Sequence, residues 1–353
     1  MRAVVVSENM GAPLDEGIRK FATMLVQGLG SFCEASGICT RAANEPVADG
    51  RLRFASGGKL FRSPALQEAL RSTEPDVVIY VPSASGTVFS FLRARALKAA
   101  VPAAKVAMIA TQARSHTAPV RRLLRRLAPD ALLCQSQATI EYFKRLGIPA
   151  RFLPSGVDLE AFGPLSTAGE AVLRQKYGLP QSEFLVLHAG HIKRERNVAL
   201  LTKLGGMARG VVLASRSMGL DQSVRAELEG RGVIVIDRYL EDPNELYQAC
   251  DCYLFPVRQA DSAMEFPLSV LEAMACNLPV VASPYGGLPL AVEARDGLTF
   301  ANTDEEMVEA VRLARGMTVN TRRQAKAFGW ANIGRLVLES IGERDAGAIT
   351  AAV

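Results

Sequence analysis

Short, largely apolar runs recur along this chain, each followed by a segment with helical periodicity. Residues 3–6, 76–81, 105–110 and 130–136 set the rhythm in the first half, and residues 184–187, 211–215, 233–236 and 253–256 continue it in the second. A strand that is apolar on both sides is covered on both faces. Strands of this kind alternating with helices specify parallel sheets wrapped by helices, the doubly wound α/β arrangement. At 353 residues there is room for two such domains, each with its own core. Hydrophobic residues make up 49% and charged residues 22%, with no low-complexity tract, which excludes a disordered chain. No apolar run approaches the roughly 20 residues of a spanning helix, and the N-terminus enters a strand without signal-peptide architecture. A cytoplasmic location is the expectation.

Within this frame, residues 264–287 are the most informative stretch. Pro267 fixes φ and disfavours helix at Phe266, so a helix should start near Pro267, where a missing N–H costs nothing. Leu268, Leu271, Ala275 and Leu278 keep a helical apolar period. Asn277 suits a left-handed cap, Pro279 stops continuation, and Val280-Val281-Ala282 reads as a buried parallel strand. Glu272 is the odd residue in this apolar helix. A buried carboxylate needs a partner, so Glu272 either reaches solvent or meets a ligand.

Two other loops have the chemistry of anion sites. After the first strand, Gly11 and Gly17 allow close backbone approach, and a helix over 18–29 offers its N-terminal N–H groups to a phosphate or sugar oxygen. After the strand at 184–187 comes His188-Ala189-Gly190-His191-Ile192-Lys193-Arg194-Glu195-Arg196-Asn197, then a helix expected over 198–204. A glycine-terminated strand followed by cationic side chains and a helix start suits a diphosphate, or else is an exposed basic turn. Residues 37–65 read as irregular except for a helix beginning near 63. In residues 111–127, Arg114, Arg121, Arg122, Arg125 and Arg126 occur with no acidic residue, beside Val120, Leu123, Leu124 and Leu127 at helical spacing. Such a helix either lies on anionic lipid or packs its leucines on the sheet with its arginines in water. The net charge of +5 is compatible with phosphate-bearing partners, and nothing in it calls for nucleic acid. The six cysteines lack zinc spacing, and Cys250 and Cys252 are too close for a disulfide, so structural thiols are expected.

The 264–287 segment resembles the donor signature of retaining GT-B glycosyltransferases of family 4. The match runs through Phe266, Leu268, Glu272-Ala273-Met274-Ala275, Pro279-Val280-Val281-Ala282 and Gly286-Gly287. Three positions depart: Met264 stands for the family's first glutamate, and Pro267 and Asn277 replace glycines. Residues 154–162 resemble the family's junction between its domains. Gly190 and Asn197 fit its basic turn, with Arg196 in place of a lysine and His191 in place of an arginine. Phe328-Gly329-Trp330 resembles the Phe-x-Trp that precedes a last helix.

The resemblance implies two Rossmann-like domains facing a central cleft. Residues 1–165 would take the acceptor side and residues 166–330 the nucleotide-sugar donor, with a final helix from about 331 crossing back to the first domain. It implies a retaining, metal-independent transferase acting on a nucleotide-diphosphate sugar and a glycan, lipid-linked or small-molecule acceptor. No cofactor is implied. Donor contacts would come from Gly11, Gly17, Gly190, His191, Arg196, Tyr239, Phe266, Pro267, Leu268 and Glu272, with Glu272 accepting from the ribose hydroxyls. Arg196 and Lys193 would stabilise the leaving diphosphate. His191 keeps a donor whose charge would depend on pH. Glu265, one residue beyond Met264, either contacts the transferred sugar or points to solvent. Gln112 stands where the family often has a cleft histidine, with His116 on the following loop as the other acceptor-side candidate and solvation its simpler reading. The Arg121, Arg122, Arg125 and Arg126 face would give peripheral contact with an anionic inner membrane surface. Gln112, Met264, His191 and Leu290, the last where the family often has glutamate, also fit a protein that binds sugar nucleotides without transferring them.

Overall fold

Every strand pair among the described residues is parallel, as strands apolar on both faces require. The computed structural model describes residues 1–41, 50–112, 114–215, 217 and 219–342. They divide into two units. The first comprises residues up to Gly156, Met264–Phe266 and the chain from Trp330. The second comprises Val157–Ala263 and Pro267–Gly329. The handover therefore falls at Gly156–Val157 rather than near residue 165, and three residues of the 264–287 segment pack with the first unit.

The first unit holds β1 (Arg2–Ser7), β2 (Glu34–Cys39), β3 (Leu52–Phe54), β4 (Val77–Val81), β5 (Lys105–Ala110), β6 (Ala131–Cys134) and β7 (Arg151–Phe152). Their order in the sheet is β3-β2-β1-β4-β5-β6-β7. Helices α1 (Gly17–Leu29), α2 (Pro64–Thr73), α3 (Val88–Ala100), α4 (Ala118–Arg126) and α5 (Gln137–Arg145) connect them. β1 pairs with both β2 and β4, so the winding reverses beside β1, and ligands of such sheets bind beyond the strand ends at that place. β2 and β3 correct the reading of 37–65 as irregular. Gly37 interrupts the apolar run of β2 because a Cβ there would lie 2.3 Å from Leu52 Cδ2 and 2.8 Å from Met10 Cε. β3 is three residues long at the sheet edge, with Arg53 and Phe54 exposed. Neither strand carries the signal that marks its neighbours.

The last helix, α13 (Trp330–Gly342), packs on α1, as the resemblance implies. The two meet backbone to backbone: a Cβ on Gly334 would sit 2.6 Å from the carbonyl of Gly28. Trp330 meets Phe21 edge-on, with ring centroids 5.5 Å apart.

The second unit holds β8 (Leu185–Gly190), β9 (Arg209–Ala214), β10 (Ile234–Ile236), β11 (Cys252–Phe255), β12 (Val280–Ala282) and β13 (Leu298–Phe300), ordered β10-β9-β8-β11-β12-β13. Around them lie α6 (Thr167–Tyr177), α7 (Gln222–Gly230), α8 (Asn244–Gln248), α9 (Leu268–Ala275), α10 (Leu288–Ala291), α11 (Asp304–Ala314) and α12 (Thr321–Ala325). The winding reverses at β8, which pairs with β9 along its length but with β11 only through Val186↔Cys252 and Leu187↔Tyr253. The helix expected over 198–204 is instead a 3-10 run, Val198–Met207, broken at Gly205 and preceded by a 3-10 turn at Arg194–Arg196. Asn197, at φ 54°, separates the two and keeps them from joining into an α-helix. At the far end of α9, Asn277 takes the left-handed conformation at φ 61°. All six cysteines are free thiols; burial pushes Cys252 up to about 12.

Candidate functional site

In the second unit, α9 begins directly after Pro267, whose φ is −66°. All but one of its eight residues are buried, among them Glu272, which is 7% exposed. Tyr247 on α8 donates its hydroxyl to Glu272 Oε2 at 2.7 Å. Burial and the neighbouring carboxylate hold the Tyr247 phenol well above its ordinary range, so it stays a neutral donor. Its ring stacks on Tyr253, with centroids 5.7 Å apart, and meets Phe162 edge-on at 5.4 Å. The carboxylate is thus oriented by a phenol that is itself wedged between two rings. Tyr247 lies 25 residues before Glu272, and no spacing rule in the sequence joins them.

The basic turn leaves β8 at the reversal point. A Cβ on Gly190 would lie 2.7 Å from one terminal nitrogen of Arg196, so glycine lets the guanidinium rest on the strand end. Lys193 is half-buried and Arg194 is exposed, 3.5 Å from Glu227. Asn197 donates to Asp304 at 3.0 Å, which ties the turn to the start of α11. Burial works to raise the Asp304 carboxyl, but donors from Lys203, Asn197 and Arg258 outweigh it and hold the group at about 2. His191 differs from expectation. Its Nε2 lies 2.9 Å from Ser217 Oγ and 3.2 Å from Ser215 Oγ. Burial, reinforced by Arg196 and Lys193, drives its pKa to about 3, so its charge does not vary near neutral pH.

Glu265 does not point to solvent: it is 6% exposed. Within the first unit its backbone N–H donates to Thr111 O at 2.9 Å, and its Oε1 accepts from Ser136 Oγ at 2.6 Å and Thr139 Oγ1 at 2.8 Å. Ser136 also caps α5. A helix N-terminus and two hydroxyls solvate this carboxylate in place of water. Met264 packs on Gly17, its Sδ 2.8 Å from where a Cβ would stand. Phe266 places its carbonyl under Ser155 Oγ at 2.6 Å and its ring against Phe152.

The α1 N-terminus is likewise engaged. The Glu16 carboxylate accepts from Ile18 and Arg19 N–H at 3.0 and 2.8 Å, and Gly11 N–H donates to Thr23 Oγ1 at 2.9 Å. Those amides are used inside the fold instead of being offered to a phosphate. Tyr239 is 43% exposed in the segment after β10. Gln112 N–H donates to Ser85 Oγ at 2.9 Å. His116 is not a solvated loop residue: it is half-buried, with Nδ1 2.8 Å from the Tyr142 hydroxyl, and burial followed by Arg114 and Arg121 lowers its pKa. On α4, Arg121, Arg122, Arg125 and Arg126 are exposed, Leu124 is buried and Leu123 is 41% exposed.

Sequence reasoning also passed over Glu8. It is buried beyond the end of β1, where it pairs with Arg93 and accepts from the Tyr80 hydroxyl at 2.9 Å and Ser83 N–H at 3.1 Å. Its chain position is that of an ordinary loop acid, and only the fold brings Arg93 to it. A cavity of about 350 Å³ lies at the opposite, amino-terminal end of the second sheet, lined by Phe184, Met207, Arg209, Arg231 and Arg315 among others. Arg231 and Arg315 follow the last turns of α7 and α11, where cations answer the helix dipoles, and Arg209 pairs with Glu183. Those charges are accounted for by the fold.

Residues 184–314 match the family model of glycosyl transferases group 1. A D-inositol 3-phosphate glycosyltransferase of Paenarthrobacter aurescens is 28% identical over 219 residues, covering 56% of this chain and 52% of the relative. The chain spans about half the length of the curated relatives it matches. Among solved structures, HepE of Anabaena in complex with UDP aligns with a TM-score of 0.72 at 16% identity, over 97% of this chain and 100% of that one. Sucrose-phosphate synthase of Thermosynechococcus elongatus aligns with a TM-score of 0.74 at 17% identity, over 96% and 98%. At these identities the likeness is one of fold.

Proposed function

With residues 184–314 a group 1 glycosyltransferase domain in a chain of GT-B fold, we propose that the protein transfers a sugar, with retention, from a nucleotide-diphosphate donor to a hydroxyl-bearing acceptor. The observation that carries this reading is the Glu272–Tyr247 pair, a buried carboxylate held in one orientation at 2.7 Å. In the proposal Glu272 accepts from the two ribose hydroxyls, a bidentate task suited to a carboxylate. Arg196 and Lys193 neutralise the departing diphosphate, helped by the N–H groups at the start of α9 and by neutral His191 as a hydrogen-bonding group. The acceptor hydroxyl attacks on the face the diphosphate leaves and passes its proton to the departing phosphate oxygen, without a protein nucleophile or a resident metal. Gln112 and His116 of the first unit are assigned to the acceptor. Gly11 and Gly17 are given no donor contact, since Thr23 and Glu16 use the neighbouring amides.

Calorimetric titration with UDP, GDP and ADP tests the reading, and absence of binding to all three overturns it. HepE binds UDP, which makes UDP the first nucleotide to try. A second reading, binding without transfer, is favoured by one observation: Met264 occupies the place of the sugar-contacting acid while Glu265 is held by Ser136 and Thr139. Donor hydrolysis or transfer by the purified protein separates the two.

The acceptor class in this proposal extends to lipid-linked glycans, because exposed Leu123 beside Arg121, Arg122, Arg125 and Arg126 suits the surface of an anionic cytoplasmic leaflet. No described helix is long and apolar enough to cross a membrane. Co-sedimentation with phosphatidylglycerol vesicles should exceed that with neutral vesicles and fall in an R122E/R126E variant; equal sedimentation in both removes the membrane role.

A further inference from the structure

His188 is fully buried in β8, one residue past the point where β8 and β11 cease to pair. Its Nδ1 lies 3.0 Å from Leu254 O on β11. A carbonyl only accepts, so the proton sits on Nδ1. Burial, with Arg196 adding to it, holds the ring neutral down to about pH 4. Nε2 is then a bare lone pair, and it has no hydrogen-bond partner among the described residues. An unmet acceptor in a dry place is costly, and buried polar groups left without partners mark sites that something completes. The lone pair is not remote from the chemistry. The point where a Cβ on Gly190 would stand is 3.5 Å from His188 Nε2 and 2.7 Å from a terminal nitrogen of Arg196. Imidazole and guanidinium border the same small space over a bare glycine, at the reversal point of the sheet where ligands of such folds sit.

The diphosphate of a nucleotide sugar, esterified at both ends, presents acceptors and no donors at neutral pH, so it cannot itself satisfy Nε2. Arg196 can, because a guanidinium has five N–H groups in a planar fork and can give one inward while presenting others outward. We propose that His188 is a positioning residue: when a diphosphate occupies the turn at 190–197, Nε2 accepts an N–H of Arg196 and holds the guanidinium over Gly190 toward the phosphate oxygens. The inference rests on the reading of the second unit as a nucleotide-diphosphate site. The competing account is a core histidine that only braces β8 against Leu254, and it predicts no link to Arg196.

Inorganic pyrophosphate, which carries no base or sugar, is the probe. In the wild-type protein, long-range ¹⁵N NMR of the imidazole should show unprotonated Nε2 shifting on addition of pyrophosphate while Nδ1 stays protonated. His188→Phe should weaken pyrophosphate binding about tenfold, the effect of losing one hydrogen bond to a charged group. His188→Gln, which returns an acceptor near Nε2, should recover most of that loss. In an Arg196→Ala background, His188→Phe should add nothing; a P–OH of free pyrophosphate donating directly to Nε2 would show there as a loss that His188→Phe still adds. An unmoved Nε2 resonance, unchanged affinity in His188→Phe, additive losses, or wild-type protein that ignores pyrophosphate would each overturn the inference. If His188→Phe does not fold, the wild-type NMR titration decides alone. Pyrophosphate effects as expected with no binding of UDP, GDP or ADP would instead overturn the proposed function and leave the role of His188 standing.

Discussion

A carboxylate buried on an apolar helix is tolerated because its partner is buried with it. Glu272 keeps a phenol at 2.7 Å, and that phenol is fixed by stacking on Tyr253. Removing either group should therefore be felt by a nucleotide. Glu272→Ala should weaken nucleotide diphosphate binding by more than tenfold and Tyr247→Phe by a smaller factor, both by calorimetry, since a hydrogen bond to a charged group contributes about 1.5–3 kcal/mol. An unchanged affinity in Glu272→Ala would assign the carboxylate a structural role only. The buried histidines make a second prediction. His188 and His191 have folded pKa values of about 4 and about 3, below the ordinary 6.5. Their contribution to stability is complete above pH 6.5 and is lost as pH falls below it, because the unfolded state takes up protons that the folded state refuses. The slope is up to about 1.4 kcal/mol per pH unit for each imidazole. Melting temperatures between pH 7.5 and 4.5 should fall, and His191→Asn should flatten the curve; an equal slope in that variant would mean His191 titrates freely.

At the scale of elements, legibility followed the strength of local patterns. The helices over 17–29, 64–73 and 88–100 and the strands at 77–81 and 105–110 were readable because each carries an uninterrupted apolar period and, for α2 and α3, a Ser or Thr cap. β2 was not, since Gly37 serves Leu52 and Met10 rather than its own strand. The run after Asn197 looked helical by composition yet tightened to 3-10, because a left-handed residue precedes it and Gly205 breaks it. The α1–α13 crossing shows the same dependence on neighbours. Gly334→Leu would gain up to about 1 kcal/mol of helix propensity. Against that, a side chain placed 2.6 Å from the Gly28 carbonyl must push two backbones apart, at about 1–3 kcal/mol. A lower melting temperature is expected for this variant, and an unchanged or higher one would show that the helices can separate freely.

For the whole molecule, the sequence by itself determined the class of fold and the chemistry on offer. Parallel sheets follow from strands apolar on both sides, two domains follow from length, and the 264–287 segment resembles a donor-binding signature because its residues sit at fixed offsets along one helix and one strand, inside the region that matches group 1 glycosyl transferases. What it could not determine were relations across long stretches of chain. Glu265 stands three residues before α9 in the sequence, yet Ser136 and Thr139, more than 120 residues away, claim its carboxylate. The α1 amides look free in the sequence, but Glu16 folds back onto them. Tyr247 joins Glu272, and Arg93 joins Glu8, only after the sheets assemble. Periodicity and spacing record which face a residue presents. Which partner satisfies a buried polar group depends on side chains delivered by separate elements, and that was decided by the tertiary structure alone.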